Sequence, residues 1–196
     1  EMIRALLLAW FSLAALVPAA TWNPQDEHPC TGVRKISEDE FLTEFGNKGL
    51  PPLYPEPLVI TGIVSSKNQE FRNLTSAENL IGFETYSDDW KRLLKHYELP
   101  SCRTCRDSLV ALSFGIGNVG SGVQWHVHGP GFSEALHGRK HWVLYPPQTT
   151  VQNFHKDQSS RQWMEFVYPN VTVKPIECTL EPGDLIYFPD QWWHGT

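Results

Sequence analysis

No stretch of this sequence is strongly basic. Its 196 residues hold 16 Lys and Arg against 22 Asp and Glu, a formal net charge of −6, and the basic residues gather in nothing larger than pairs such as Arg34-Lys35, Lys91-Arg92 and Arg139-Lys140. Nucleic-acid binding depends on neutralising several phosphates together, so no DNA or RNA partner is expected. Internal repeats and low-complexity tracts are missing, which excludes solenoids and flexible tails. The glycines of 115–122 lack the G-x-G-x-x-G spacing and a following helix, so they form a turn and not a phosphate cradle. Ser121 and Ser133 stand in no nucleophile-elbow pattern, and no hydrolase triad is visible. Past residue 20 no apolar run approaches the roughly 20 residues that a membrane span needs, so the mature chain is expected to have no stable span. What is present is a globular composition, 41% hydrophobic and 12% aromatic with 15 Pro and 14 Gly, suited to one domain of short strands and many turns.

The one long apolar run is N-terminal. Met2 and Arg4 precede the apolar run Ala5 to Val17, which ends in Pro18-Ala19-Ala20. A basic start, an apolar centre and a small-residue end make a signal peptide over residues 1–20, cleaved after Ala19 or Ala20, in preference to a retained anchor. The address is therefore the secretory pathway, with secretion as the alternative to lumenal retention. Two acceptor triplets agree, Asn73-Leu74-Thr75 and Asn170-Val171-Thr172, which makes Asn73 and Asn170 candidate glycan sites. Cysteine is sparse, but the count of four is even: Cys30, Cys102, Cys105 and Cys178. In an oxidising compartment that suggests disulfides. Cys102 and Cys105 form a CxxC that suits a short structural pair, a redox motif or half a zinc site. With no second CxxC and no thioredoxin-like pattern, the structural pair is preferred. Cys30 with Cys178 is the other candidate bridge, and connectivity stays open.

Along the chain, Ser37 and Glu40 fit a capping box for a helix with Phe41, Leu42 and Phe45 on its apolar face and Gly46 at its end. The β-branched run 58–64 reads as a buried strand. A second helix is expected from Ser87 through Tyr97. From residue 108 the pattern turns to short strands at 109–114, 123–128, 135–137 and 141–145. A helical stretch follows over 158–166, and then strands at 176–180 and 185–188 that form a hairpin around a type II turn at Pro182-Gly183. Many short strands with punctuating turns argue a barrel or sandwich.

The chemistry gathers in 122–147 and 182–194. His126 and His128 lie two apart in an expected strand, so both project from one face and can serve one ion. His194 follows the strand at 185–188. Three neutral imidazoles on one face suit Fe(II), Zn(II) or a similar ion. Glu134 lies near enough in sequence to be an outer partner. Trp192 and Trp193 read as packing.

Two stretches carry a resemblance. Gly138-Arg139-Lys140-His141-Trp142-Val143-Leu144-Tyr145-Pro146-Pro147 resembles the G-x-K-x-W-x-L-(F/Y)-P-P segment of the JmjC (jumonji C) family. Glu181-Pro182-Gly183-Asp184 through Trp192-Trp193-His194 resembles that family's PGD…P…WWH segment. Residues 108–194 carry most of the likeness, and the run from Gly120 to Gly131 behind a signal peptide is similar to a small lumenal branch of the family. The resemblance implies a mainly β fold, a double-stranded β-helix of the cupin or jelly-roll kind with a few flanking helices. Its core would be residues 108–196, preceded by a flanking segment 21–107 and stopping short of the family's full barrel. It also implies Fe(II) and 2-oxoglutarate as cofactors, oxidation of a C–H bond on a protein substrate or else a protein-binding role, His126 and His194 as metal ligands, and Lys140 as the partner of the cosubstrate's far carboxylate. His128 stands where the family has Asp or Glu, and Val123 where many relatives have Thr.

Overall fold

The computed structural model describes residues 22–23, 26, 28–46, 55–62, 66–74, 96–98 and 113–196. The expected leader 1–20, the CxxC at Cys102 and Cys105, most of the helix expected from Ser87 and most of the strand at 109–114 lie outside these residues. Seven strands build two sheets: β1 (Arg34–Ser37), β2 (Leu58–Thr61), β3 (Gly131–Glu134), β4 (Lys140–Tyr145), β5 (Ile176–Leu180), β6 (Leu185–Phe188) and β7 (Trp193–Gly195). One sheet runs β1-β2-β6-β3 and the other β5-β4-β7. This is the sandwich that the strand pattern argues, arranged as the cupin-like fold that the resemblance implies.

Period-two alternation sorts the side chains into layers. From β6, Ile186 and Phe188 point inward with Val59, Trp142, Leu144, Cys178, Leu180 and Trp192, and together they fill the space between the sheets. Leu185 and Tyr187 point outward, where they join Ile36, Leu58 and Ile60 under helix α1 (Glu38–Phe45). Across the molecule Val143 and Tyr145 point away from the interior and pack with Trp125, Val151, Trp163 and Met164. The cover there is α3 (Ser160–Gln162), which continues as a π turn over Trp163–Val167 and a 3-10 turn over Tyr168–Asn170. Each sheet is thus apolar on both faces, which is why β6 reads as an unbroken apolar run.

Several expectations hold. The Ser37 hydroxyl accepts from the Glu40 amide at 3.2 Å while the Glu40 carboxylate accepts from the Ser37 amide at 2.8 Å, closing the capping box. Phe41 and Phe45 are buried, but Leu42 turns to solvent and is no part of the apolar face. Gly183 has φ +95° and the Asp184 amide bonds the Glu181 carbonyl at 2.9 Å, as a type II turn with Pro182 in second place requires.

The hairpin is corrected: β5 pairs with β4, whereas β6 pairs with β2 and β3. The physical reason lies at the turn, where Gly183 and Asp184 exchange backbone bonds with Ala135 (2.9 and 3.0 Å) and hand the chain to the opposite sheet. The same bonds use up Ala135, so the strand expected at 135–137 ends at Glu134 instead. The segment 123–128 is extended but makes only one bridge, His126 with His194. The run 158–166 bends as α3 and its π turn.

A second helix that the sequence did not suggest, α2 (Ser66–Leu74), is tied down by polar contacts. Arg72 Nη2 donates to Glu134 Oε1 at 2.7 Å, and Asn68 Nδ2 donates to Glu134 Oε2 at 3.3 Å. With the Glu134 side chain 2% exposed and the Arg72 side chain 16%, removing one partner leaves a charge poorly compensated in a dry site. Glu134→Ala is expected to cost about 3 kcal/mol, read as a lower urea midpoint. A midpoint equal to wild type would count against this role.

Candidate metal centre

The centre forms where the chain crosses from one sheet to the other. Segment 123–128 lies antiparallel beside β7. The His126 amide donates to the His194 carbonyl and the His194 amide to the His126 carbonyl, each at 3.0 Å, and the Gln191 amide donates to the His128 carbonyl at 3.1 Å. Directly opposed residues of an antiparallel pair project to the same side, so His126 and His194 face together, with ring centroids 4.1 Å apart. Alternation adds His128 to that face, its ring 4.6 Å from that of His194. Trp125 goes to the other face, stacked on Tyr145. The ligand atoms of the three histidines lie within 4.8 Å of one another.

Their hydrogen bonds fix their protons. The Nδ1 atoms of His126, His128 and His194 sit 2.7, 2.7 and 2.8 Å from the carbonyl oxygens of Gln124, Gly129 and Trp192. A carbonyl can only accept, so each Nδ1 carries the hydrogen and each Nε2 is left as a lone pair. The Nε2 atoms of His128 and His194 then meet at 3.1 Å. Two lone pairs at that separation repel unless a cation stands between them. Nitrogens bound at right angles to one ion at about 2.1 Å would be separated by about 3.0 Å, so this donor set fits a divalent transition metal.

The surroundings are apolar and poor in anions. The Phe188 ring packs on His194 (4.3 Å) and His128 (5.4 Å), and the Trp142 ring lies 6.0 Å from His194. Gly131 permits this, since a Cβ there would come 2.5 Å from the Phe188 ring. Burial, reinforced by His126, His128 and Lys140, pushes the His194 imidazole down to about 4, although the Trp192 carbonyl acts the other way. Lys140 stands two residues before Trp142 on the inward face of β4, its ammonium 4.9 Å from the Trp142 ring, and burial lowers its pKa. Among the described residues it makes no ion pair. The Trp142 indole nitrogen is buried and also lacks an acceptor. Two unused donors on the wall beside the histidines are a fit for an anion.

Of the other sequence candidates, Cys30 and Cys178 are bonded to each other. Asn73 and Asn170 are both exposed, near the end of α2 and at the end of the 3-10 turn. Glu134 is engaged with Arg72 and Asn68. Trp192 packs in the interior, its indole donating to the Pro55 carbonyl at 3.2 Å. Sequence reasoning missed Phe188 and the part Trp142 plays beyond packing, and the three carbonyls that set the tautomers leave no mark in a sequence.

Residues 122–196 match the model of the JmjC domain. The chain is 46% identical to the JmjC domain-containing protein 8 of Rattus norvegicus, over 97% of this chain and 91% of the relative. The chain belongs to the JmjC family. More distant members include a lysine-specific demethylase of Arabidopsis thaliana, 37% identical over 56% of this chain and 12% of the relative. A bifunctional arginine demethylase and lysyl-hydroxylase of Caenorhabditis elegans is 31% identical over 41% of this chain and 25% of the relative. The JmjC match takes in His126, His128, Lys140 and His194. No helix among the described residues is long and apolar enough to cross a membrane.

The depressed His194 pKa has a consequence for stability. Between its ordinary value of 6.5 and its folded value of about 4, the unfolded chain binds a proton that the folded chain refuses. Stability of the metal-free chain is therefore complete above that window and falls as pH drops through it. Urea unfolding at pH 7 and pH 5 in chelator should show this drop, and His194→Gln should shrink it. An equal drop in both chains would contradict the assignment.

Proposed function

We propose that this JmjC protein is a lumenal Fe(II)- and 2-oxoglutarate-dependent oxygenase of the protein-hydroxylase type, with three imidazoles where relatives use two and a carboxylate. The observation that carries the reading is the meeting of three histidines whose ligand atoms lie within 4.8 Å of one another, with the Lys140 ammonium over the Trp142 ring that packs near His194. His126, His128 and His194 would hold the ion, their Nδ1 hydrogens held by backbone carbonyls so that the rings cannot turn away. Lys140 would hold the far carboxylate of the cosubstrate. Phe188 and Trp142 keep water from the inner side of the histidines. Metal and cosubstrate together would supply oxidation of a C–H bond by molecular oxygen, one oxygen atom going to the substrate and the other to succinate as 2-oxoglutarate loses CO2. A protein substrate is supported by the names of the demethylase and hydroxylase relatives.

The lumenal setting and the division of the chain belong to the same proposal: leader 1–20, flanking segment 21–107, barrel core 108–196. The Cys30–Cys178 bond supports an oxidising compartment, and the exposure of Asn73 and Asn170 supports glycosylation. Expressed through the secretory pathway, the chain should lose mobility shifts one at a time in Asn73→Gln and Asn170→Gln. An endoglycosidase that changes nothing would argue against this address.

A second reading, a non-catalytic barrel serving as a protein-binding or regulatory module, is favoured by two residues. His128 brings no negative charge to offset the ion, and Val123 brings no hydroxyl to the cosubstrate. Anaerobic titration with Fe(II) and 2-oxoglutarate separates the two, because chelation of the cosubstrate to bound iron produces a visible charge-transfer band. A saturable band that disappears in Lys140→Ala is the expected result, and a folded chain without it is a binding module. His128→Ala should weaken metal binding at least about tenfold, the scale on which even outer partners of a metal act. Unchanged affinity would remove His128 from the site.

A further inference from the structure

Several segments carry the chain between the sheets, residues 28–33 and 126–131 among them. On the side away from the histidines, residues 28–33 lead from the edge of β5 into β1. Their ties to the three-stranded sheet are few. The Thr31 amide donates to the Glu177 carbonyl at 2.8 Å. The His28 ring packs 4.8 Å from that of His141, with Trp22 stacked on it. Val33 and Cys30 rest against the interior cluster. The one covalent tie is Cys30–Cys178, between residues separated by 148 in sequence.

The two cysteines differ in burial. Cys30 is half-buried at the surface, whereas Cys178 is fully buried in the middle of β5. Cys178 stands directly opposite Trp142 in the β4–β5 ladder. Trp142 in turn packs on Phe188 at 5.4 Å and on His194 at 6.0 Å, and Phe188 packs on both His194 and His128. The disulfide therefore touches the wall of the candidate metal centre through a single side chain.

We infer that Cys30–Cys178 is a thiol–disulfide exchange site whose reduction releases the 28–33 strap and loosens the metal centre. The inference rests on the proposed reading for the metal and on the fold for the rest. The co-reactant is an external dithiol. Its thiolate attacks the sulfur of Cys30, the less buried residue of the two, the S–S bond breaks, and Cys178 leaves as a thiolate that takes up a proton. The second thiol of the reagent then displaces Cys30 from the mixed disulfide. Two electrons and two protons pass to the cysteine pair, and the dithiol ends as a disulfide. With the bond gone, the strap is tied to the three-stranded sheet by one backbone bond, a ring stack and the packing of Val33. Cys178 can then shift against Trp142, whose ring positions Phe188 and His194. Packed interiors transmit such displacements because they contain little free space.

The test compares the intact oxidised chain with Cys30→Ser, using Co(II) alone as the probe of the histidines and amide hydrogen exchange as an independent readout. The variant is expected to keep its far-UV circular dichroism, to exchange faster at residues 28–33 and along β4 and β5, and to bind Co(II) about tenfold more weakly, as loss of support around a metal does. Equal Co(II) affinity in both chains would overturn the inference and leave the metal reading standing. No Co(II) binding by the oxidised chain would overturn the metal reading and this inference with it. Loss of the whole circular dichroism signal in the variant would make the bond a staple of the entire fold, which also overturns a local exchange site.

Discussion

The candidate centre depends on one backbone contact, the antiparallel bridge between His126 and His194. Two hydrogen bonds of 3.0 Å hold the start of the barrel core against its last described strand. Neither histidine could meet the other without it, since His126 lies before β3 and His194 within β7. The bridge also sets the phase of the segment. With His126 fixed toward the interior, period-two alternation sends His128 the same way and Trp125 outward to Trp163 and Tyr145. A slip by one residue would bury two histidines under the α3 cover and expose a tryptophan in their place. The apolar cover on the far side of the sheet thus enforces the orientation of the ligands on the near side.

Electrostatics gives that geometry its meaning. Three carbonyl oxygens hold the Nδ1 hydrogens, so the Nε2 atoms of His128 and His194 face each other across 3.1 Å, with His194 buried against Phe188 and Trp142 and His128 open to solvent. Neutral ligands leave a divalent ion its full charge, unlike the pair of imidazoles and carboxylate of relatives. An ion held that way attracts an anionic second ligand more strongly, and the unpaired ammonium of Lys140 works in the same direction. On the proposed reading, His128 in place of a carboxylate would shift the balance between metal and cosubstrate without removing either donor wall.

Much of this was legible in the sequence, and the illegible parts share a cause. The α1 cap, the Pro182-Gly183 turn and the positions of β4, β5 and β6 follow from local chemistry and were readable as such. The HxH spacing showed that two histidines share a face. Which strand lies beside which is a different kind of fact. Both flanks of Pro182-Gly183 look like strands that meet at a turn, and only the competing bonds from Ala135 send them to opposite sheets. Helix α2 escaped notice because it has no apolar stripe. Its hold on the sheet comes from Asn68 and Arg72 reaching Glu134, contacts that need the tertiary structure to exist. The π turn at Trp163–Val167 disturbs the 3.6-residue rhythm that would have announced a regular helix.

Two of the crossings of the sandwich, residues 28–33 and 126–131, are secured by different means. On one side a covalent bond fastens residue 30 to the centre of β5. On the other, residues 126–131 cross between the sheets with backbone bonds to β7 and the preceding turn as their described ties. A metal bound by His126 and His128 on the crossing and by His194 on β7 would fasten this second side as the disulfide fastens the first. Because the unfolded chain cannot assemble three such imidazoles, binding would favour the folded state by about 2.7 kcal/mol at a hundredfold excess over the dissociation constant. The centre would then be structural as well as chemical. A JmjC chain that had lost its oxygenase activity would still keep its three histidines for the sake of the fold, so retention of the ligands alone says nothing about turnover. Lys140 and Trp142 differ in this respect. Apart from the 4.9 Å contact of its ammonium with the Trp142 ring, Lys140 makes no ion pair among the described residues, and the buried Trp142 indole nitrogen has no acceptor there, so a structural metal by itself gives neither donor a partner.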